Sequence, residues 1–182
     1  MKYLARFIML LAGWKYKGEL PAEKKAVIIS VPHTSNWDFF WGELAFLSQG
    51  IPAFILMKKE FFFFPLGMIL RALNVIPVDR GNKDSQLVEQ MITEFKQRDS
   101  MYLCITPEGS RKKRKKWKKG FLVIAKAAGV PVYLGRIDYK GKYCEVGPLF
   151  YPTEDVDADL AYIMSTYHDA NPKYPENFSN GN

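Results

Sequence analysis

The chain has 182 residues, 48% hydrophobic and 15% aromatic, a length and apolar content that suit one hydrophobic core and exclude wholesale disorder. Formal net charge is +7, but eight basic residues fall within 111–119 (RKKRKKWKK), so the rest of the chain stands at −1. The positive excess is therefore one local patch, which implies an anionic partner: membrane headgroups, nucleic acid or the phosphates of a cofactor.

From Tyr3 to Trp14 the chain is apolar apart from Arg6, with Leu4, Phe7, Ile8, Leu11 and Trp14 near one helical face. A bilayer span needs about 20 apolar residues, and this stretch has far fewer. No small-residue cleavage site follows it before Trp14, Lys15 and Lys17, so the expectation is an amphipathic helix lying in a membrane interface.

After Leu20-Pro21, the β-branched run Ala26 to Val31 predicts a buried strand, ended by Pro32. A helix follows from Trp37 to Ser48, closed by Gly50 and Pro52, then a strand from Ala53 to Met57. Phe61 to Phe64 before Pro65 reads as core material, with an apolar groove or lipid contact as the alternative, in a segment reaching Leu73, with Lys58 and Lys59 toward a headgroup side. Val75 to Val78 leads to the charged turn Asp79-Arg80-Gly81, a helix from about Asp84 to Arg98 and a strand from Met101 to Ile105.

Pro107-Glu108-Gly109 and the basic run form a loop, Gly120 to Ala128 a helix stopped by Gly129, and Val132 to Ile137 and Lys142 to Val146 the last strands. Val156 to His168 closes the series as a helix before an irregular tail. Cys104 and Cys144 lie in strand-like runs without CxxC spacing and read as buried, reduced thiols, which fits a reducing cytosol. Short apolar strands interleaved with helices predict the α/β class: a single domain with a mixed, largely parallel central sheet flanked by helices.

His33-Thr34-Ser35-Asn36-Trp37-Asp38 sets a histidine just past a strand end and a carboxylate in the first turn of the next helix. On a continuous helix, five positions separate two side chains by about 140°, so the pair meets only if His33 lies in the loop. Imidazole titrates near neutral pH and can take a proton from an attacking hydroxyl. A carboxylate on the other ring nitrogen fixes the tautomer and stabilises the imidazolium. Ser35 lacks a G-x-S-x-G elbow, which argues against an acyl-enzyme route. His168, on a polar C-terminal helix, reads as surface.

Four blocks, His33-x4-Asp38, Val75-Ile-Pro-Val-Asp-Arg80, Thr106-Pro-Glu-Gly-Ser-Arg111 and Val130-Pro-Val-Tyr133, occur in an order that resembles the glycerolipid acyltransferases typified by 1-acylglycerol-3-phosphate acyltransferase. The resemblance spans residues 25 to 150 and implies a glycerol-phosphate acyltransferase-like fold, with 1–20 an interfacial helix and 21–182 the acyltransferase domain. It implies that His33 and Asp38 are catalytic and that Arg80 binds the acceptor phosphate, which the planar guanidinium suits. Glu108, Gly109, Ser110 and Arg111 correspond to a substrate-binding loop, with Arg111 able to add a second phosphate contact. Pro131 falls in the fourth block, which implies either a structural role beside the acyl or headgroup site or direct contact with it. Pro32 stands where the family commonly has Asn.

The implied reaction moves a fatty acyl group from acyl-coenzyme A or an acyl carrier protein to a lysophospholipid hydroxyl. It needs no metal and no cofactor beyond the thioester co-substrate. The basic run is expected to meet an anionic membrane surface, with Trp117 in the headgroup layer, or the phosphates of the donor. The expected location is the cytoplasmic face of a membrane, peripherally bound. A nucleic-acid-binding module and an acyl thioesterase are the alternatives. The confinement of the charge to one loop and the lack of a reader motif weigh against specific nucleic acid.

Overall fold

A computed structural model describes residues 1–78 and 84–181, the side chains of 84 and 85 excepted. In chain order the elements are α1 (Lys2–Ala12), β1 (Lys15–Lys17), β2 (Lys25–Val31), α2 (Trp37–Gln49), β3 (Ala53–Lys58), α3 (Leu66–Ala72), β4 (Val75–Val78) and α4 (Asp84–Gln97). There follow β5 (Met101–Ile105), α5 (Gly120–Ala128), β6 (Val132–Asp138), β7 (Tyr143–Glu145), β8 (Leu149–Phe150) and α6 (Val156–Ser165). The expected helices and long strands are present, with boundaries shifted by one to three residues. Two short edge elements, β1 and β8, carry too little apolar pattern to be read from sequence.

The sheet runs β1-β7-β6-β2-β5-β3-β4, with β8 added against β6. β2 to β6 are mutually parallel, while β7 and β8 pair antiparallel with β6. β2 lies near the middle, and Ala26 to Ile29 and Val31 are all buried, as a strand covered on both faces must be. Burying each such Val or Ile side chain stabilises the fold by roughly 1.5–3 kcal/mol.

Alternation along β2 divides its side chains between two layers. Val27, Ile29 and Val31 pack with Met91 and Phe95 of α4, Phe121 and Leu122 of α5, and Ile163 of α6. Ala26 and Ile28 face the other way, toward Phe46 of α2. α1 lies over α2 with Ala5 and Met9 buried, leaving Leu4, Phe7, Leu10 and Leu11 exposed. Lys2 Nζ and Arg6 Nε donate to the carbonyls of Gln49 and Ser48 at 3.2 and 2.8 Å, so the cations of α1 satisfy the negative end of α2. Arg6 therefore has a structural role inside the apolar stretch. No helix among the described residues is long and apolar enough to cross a membrane.

The five parallel strands end on one edge of the sheet, so the segments after β2, β3, β5 and β6 gather there. Such an edge is where open α/β sheets assemble binding sites. Phe61, Phe63 and Phe64 follow β3 on this edge and are exposed, Phe64 by 83%, which corrects the expectation that this cluster is core. The seven-residue sequence between Lys58 and Leu66 makes a short 3-10 turn and never returns its rings to either layer.

Candidate active site

The turn from β2 to α2 is built around one carboxylate. Asp38 Oδ2 accepts the backbone N–H groups of Thr34 and Ser35 at 2.7 and 2.8 Å, which folds the chain back so that residue 38 faces residue 33. Ser35 Oγ accepts the Trp37 N–H at 3.2 Å and serves the free end of α2. Asp38 also sits in the first helical turn, where a negative charge is favoured by the helix dipole. Its burial, at 3% exposure, is tolerable because the carboxylate is saturated with donors.

His33 and Asp38 are brought together as the spacing required: His33 Nδ1 lies 3.2 Å from Asp38 Oδ2. The contact does not make a hydrogen bond, and Nδ1 has no hydrogen-bond partner among the described residues. Loose alignment of this kind is usual in catalytic pairs before substrate binds. The His33 side chain is 21% exposed, so the ring can be reached from solvent while its Nδ1 is buried.

Glu108 comes from the loop after β5 and is buried, its Oε1 accepting the His33 backbone N–H at 2.7 Å. Burial pushes its carboxyl up to about 8; the His33 N–H opposes this, and the charge of Asp38 adds to it. Two carboxyl groups thus share the His33 turn, and burial holds Glu108 toward its neutral form. In this arrangement Glu108 holds the backbone of His33 in place.

Gly109 adopts φ +67, and a Cβ there would press on the Lys118 side chain at 3.3 Å, so the turn needs glycine. Ser110 Oγ donates to Lys112 O at 3.0 Å. Arg111 donates through one guanidinium nitrogen to Asn36 Oδ1, bringing the basic loop against the start of α2. Arg80 lies outside the described residues. Pro131 precedes β6, and its carbonyl accepts the Val27 N–H at 2.9 Å, a sheet contact at the opposite end of β2 from His33.

The basic loop differs from expectation at its aromatic residue. Trp117 is buried in the core, with its indole N–H donating to Ser179 O at 2.9 Å and its ring against Tyr167 and Phe178. It belongs to the protein interior and not to a headgroup layer, because the C-terminal tail closes over it. Arg111 to Lys116 all remain exposed, a cationic loop pinned at its far end by Trp117 and by the Lys118 N–H to Pro107 O bond at 2.8 Å.

Sequence reasoning missed Tyr139. It follows β6 and donates its phenol O–H to Asp38 Oδ1 at 2.6 Å. No motif contains it, and only the parallel pairing of β6 with β2 carries it to the site. His168 is exposed, and Cys104 and Cys144 are buried free thiols, each pushed up by burial. Among the described residues no three His, Cys, Asp or Glu side chains converge to hold a metal ion.

Comparison with known proteins adds a family and a fold. A family model described as Acyltransferase matches residues 14–134. The chain is similar in structure to the 1-acyl-sn-glycerophosphate (LPA) acyltransferase, PlsC, from Thermotoga maritima. The TM-score is 0.65 at 17% identity, covering 91% of this chain and 74% of that one. No curated protein matches the chain by sequence.

Proposed function

The chain belongs to the acyltransferase family, and from that premise we propose that it moves a fatty acyl group from a thioester to the free hydroxyl of a lysophospholipid such as 1-acylglycerol-3-phosphate. The acceptor class is supported by the likeness to PlsC and by the four sequence blocks. The observation that carries the chemistry is the approach of His33 Nδ1 to Asp38 Oδ2 at 3.2 Å, on the sheet edge where the Glu108 loop also closes.

In this reading His33 Nε2 takes the proton of the acceptor hydroxyl as the oxygen attacks the thioester carbonyl. Asp38 stabilises the imidazolium that results and keeps the proton-accepting nitrogen turned to the substrate. Collapse of the tetrahedral intermediate expels the thiolate, which recovers the proton from His33. The products are a diacyl phospholipid and a free thiol. Arg80 and Arg111 bind the acceptor phosphate, Arg111 from its position against Asn36. Ser110 and Gly109 shape the same loop.

The exposed apolar face of α1, with Leu4, Phe7, Leu10 and Leu11, is suited to the acyl boundary of an anionic bilayer. We place the protein peripherally on the cytoplasmic leaflet, with its substrates delivered from that surface. The Arg111–Lys116 loop fits the phosphates of acyl-coenzyme A, the acidic surface of an acyl carrier protein, or lipid headgroups, and contributes by charge in each case.

The test is acceptor-dependent thiol release from each donor on vesicles containing 1-acylglycerol-3-phosphate, with diacyl product measured in parallel. His33→Ala is expected to lose at least about 10²-fold in turnover. Thiol release indifferent to the acceptor would make the protein a thioesterase, and near-normal turnover by folded His33→Ala would end the proposed mechanism.

A further inference from the structure

An orienting carboxylate is useful only if it is itself oriented. Oδ2 of Asp38 is engaged by the Thr34 and Ser35 N–H groups and faces His33 Nδ1, while Oδ1 accepts the Tyr139 phenol at 2.6 Å. Without a donor at Oδ1 the carboxylate could rock about its χ2 axis, a broad and soft torsion, and carry Oδ2 away from the ring.

Tyr139 is built to hold that donor still. Its backbone N–H donates to Asn171 O at 3.0 Å. Asp138, just before it, fixes the turn by accepting the Gly141 N–H at 2.6 Å and the Asn171 amide at 2.7 Å. The Tyr139 ring meets the Trp14 indole edge-on at 5.1 Å, and Trp14 is stacked on Trp41 of α2 at 4.6 Å. Trp14 immediately follows the C-cap of α1 and is buried. The phenol keeps its proton at neutral pH, since burial and the bond to Asp38 both push its ionisation far upward.

We infer that Tyr139 is a positioning residue for the His33–Asp38 pair: its O–H fixes the rotation of the Asp38 carboxylate, and its ring takes its own position from Trp14 at the end of α1. This rests on the proposed role of His33 and Asp38, and Tyr139 acts through Asp38. Its influence passes through Asp38 to the tautomer of the imidazole, because a well-placed Oδ2 favours the form with its proton on Nδ1.

The full-length Tyr139→Phe protein keeps the ring and removes the donor. Its kcat is expected to fall about 10-fold to 100-fold, the scale of a small misplacement in an active site, with KM for donor and acceptor changed by less than about twofold. A second readout needs no substrate. The chain has two histidines, so ring 15N signals assigned with His168→Gln report the tautomer of His33 directly. The fraction with the proton on Nδ1 should drop in Tyr139→Phe.

A p-aminophenylalanine at position 139 retains a donor at the para position and should restore the tautomer and return kcat to within about threefold of wild type. Unchanged kcat and tautomer in folded Tyr139→Phe would overturn the inference. If that variant does not fold, the p-amino protein decides alone, and its loss of activity in a folded state would be equally fatal. Wild-type and His33→Ala turnover separate the two levels. If those show no His33-dependent transfer, the proposed reaction fails, whereas the tautomer measurement still judges Tyr139.

Discussion

Asp38→Asn isolates charge from shape at the centre of the site. Asparagine can keep a carbonyl oxygen where Oδ2 now accepts the Thr34 and Ser35 N–H groups, and its amide can face the Tyr139 oxygen as a donor, so the turn should survive. What disappears is the negative charge 3.2 Å from Nδ1 when the ring becomes cationic. At an effective dielectric of about 20, two unit charges at that distance attract by about 5 kcal/mol. With a tenfold rate change for every ~1.4 kcal/mol, this bounds the loss near 10⁴-fold. Solvent at the partly exposed ring reduces it, and a fall in kcat of about 10² to 10⁴-fold is expected, with KM little changed. The assay is thiol release and diacyl product on vesicles, with thermal unfolding to confirm the fold. A folded Asp38→Asn protein within about tenfold of wild type would show that His33 works without its carboxylate, and the electrostatic account would be wrong.

Glu108→Gln keeps an acceptor for the His33 N–H but cannot titrate. Since the folded carboxyl is raised from 4.5 to about 8, the folded chain keeps a proton that the unfolded chain releases, and stability falls as pH rises between those values. The variant should flatten this decline, on the order of a few kcal/mol across the window, in urea midpoints measured from pH 5 to 8.5; an unaltered slope would clear Glu108 of the effect. Trp117→Ala should destabilise by about 3–5 kcal/mol by chemical denaturation, as loss of a buried core ring does; a cost below about 1 kcal/mol would contradict its place in the interior. Phe7→Asp with Leu11→Asp changes two exposed positions of α1, so melting should be unaltered while partition to anionic vesicles drops at least about tenfold in co-sedimentation. Equal partition would remove α1 from the membrane contact.

Much of the fold was legible because the sequence states it locally. Ala26 to Val31 is apolar at every position but Ser30, which only a strand buried on both faces requires. The helix after it begins with Asp38 in its first turn and ends at Gly50, whose φ of +77 is the left-handed stop that glycine supplies. Gly120 to Ala128 was bounded by the same punctuation. Phe61 to Phe64 misled, because composition alone does not say whether a short connection returns its rings to the core. Trp117 misled in the other direction: surrounded by lysines, it is buried by a tail more than sixty positions away.

The sequence by itself determined the alternation of elements, the glycine and proline stops, and a histidine and aspartate close enough along the chain to meet within one turn. The tertiary structure decided what surrounds that pair. Glu108, 75 positions from His33, and Tyr139, 101 from Asp38, reach it because parallel strands deliver their C-terminal ends to one edge of the sheet. Hydrogen bonds between residues so distant leave no periodic trace, since they depend on strand order and register, which the packing of both layers sets together.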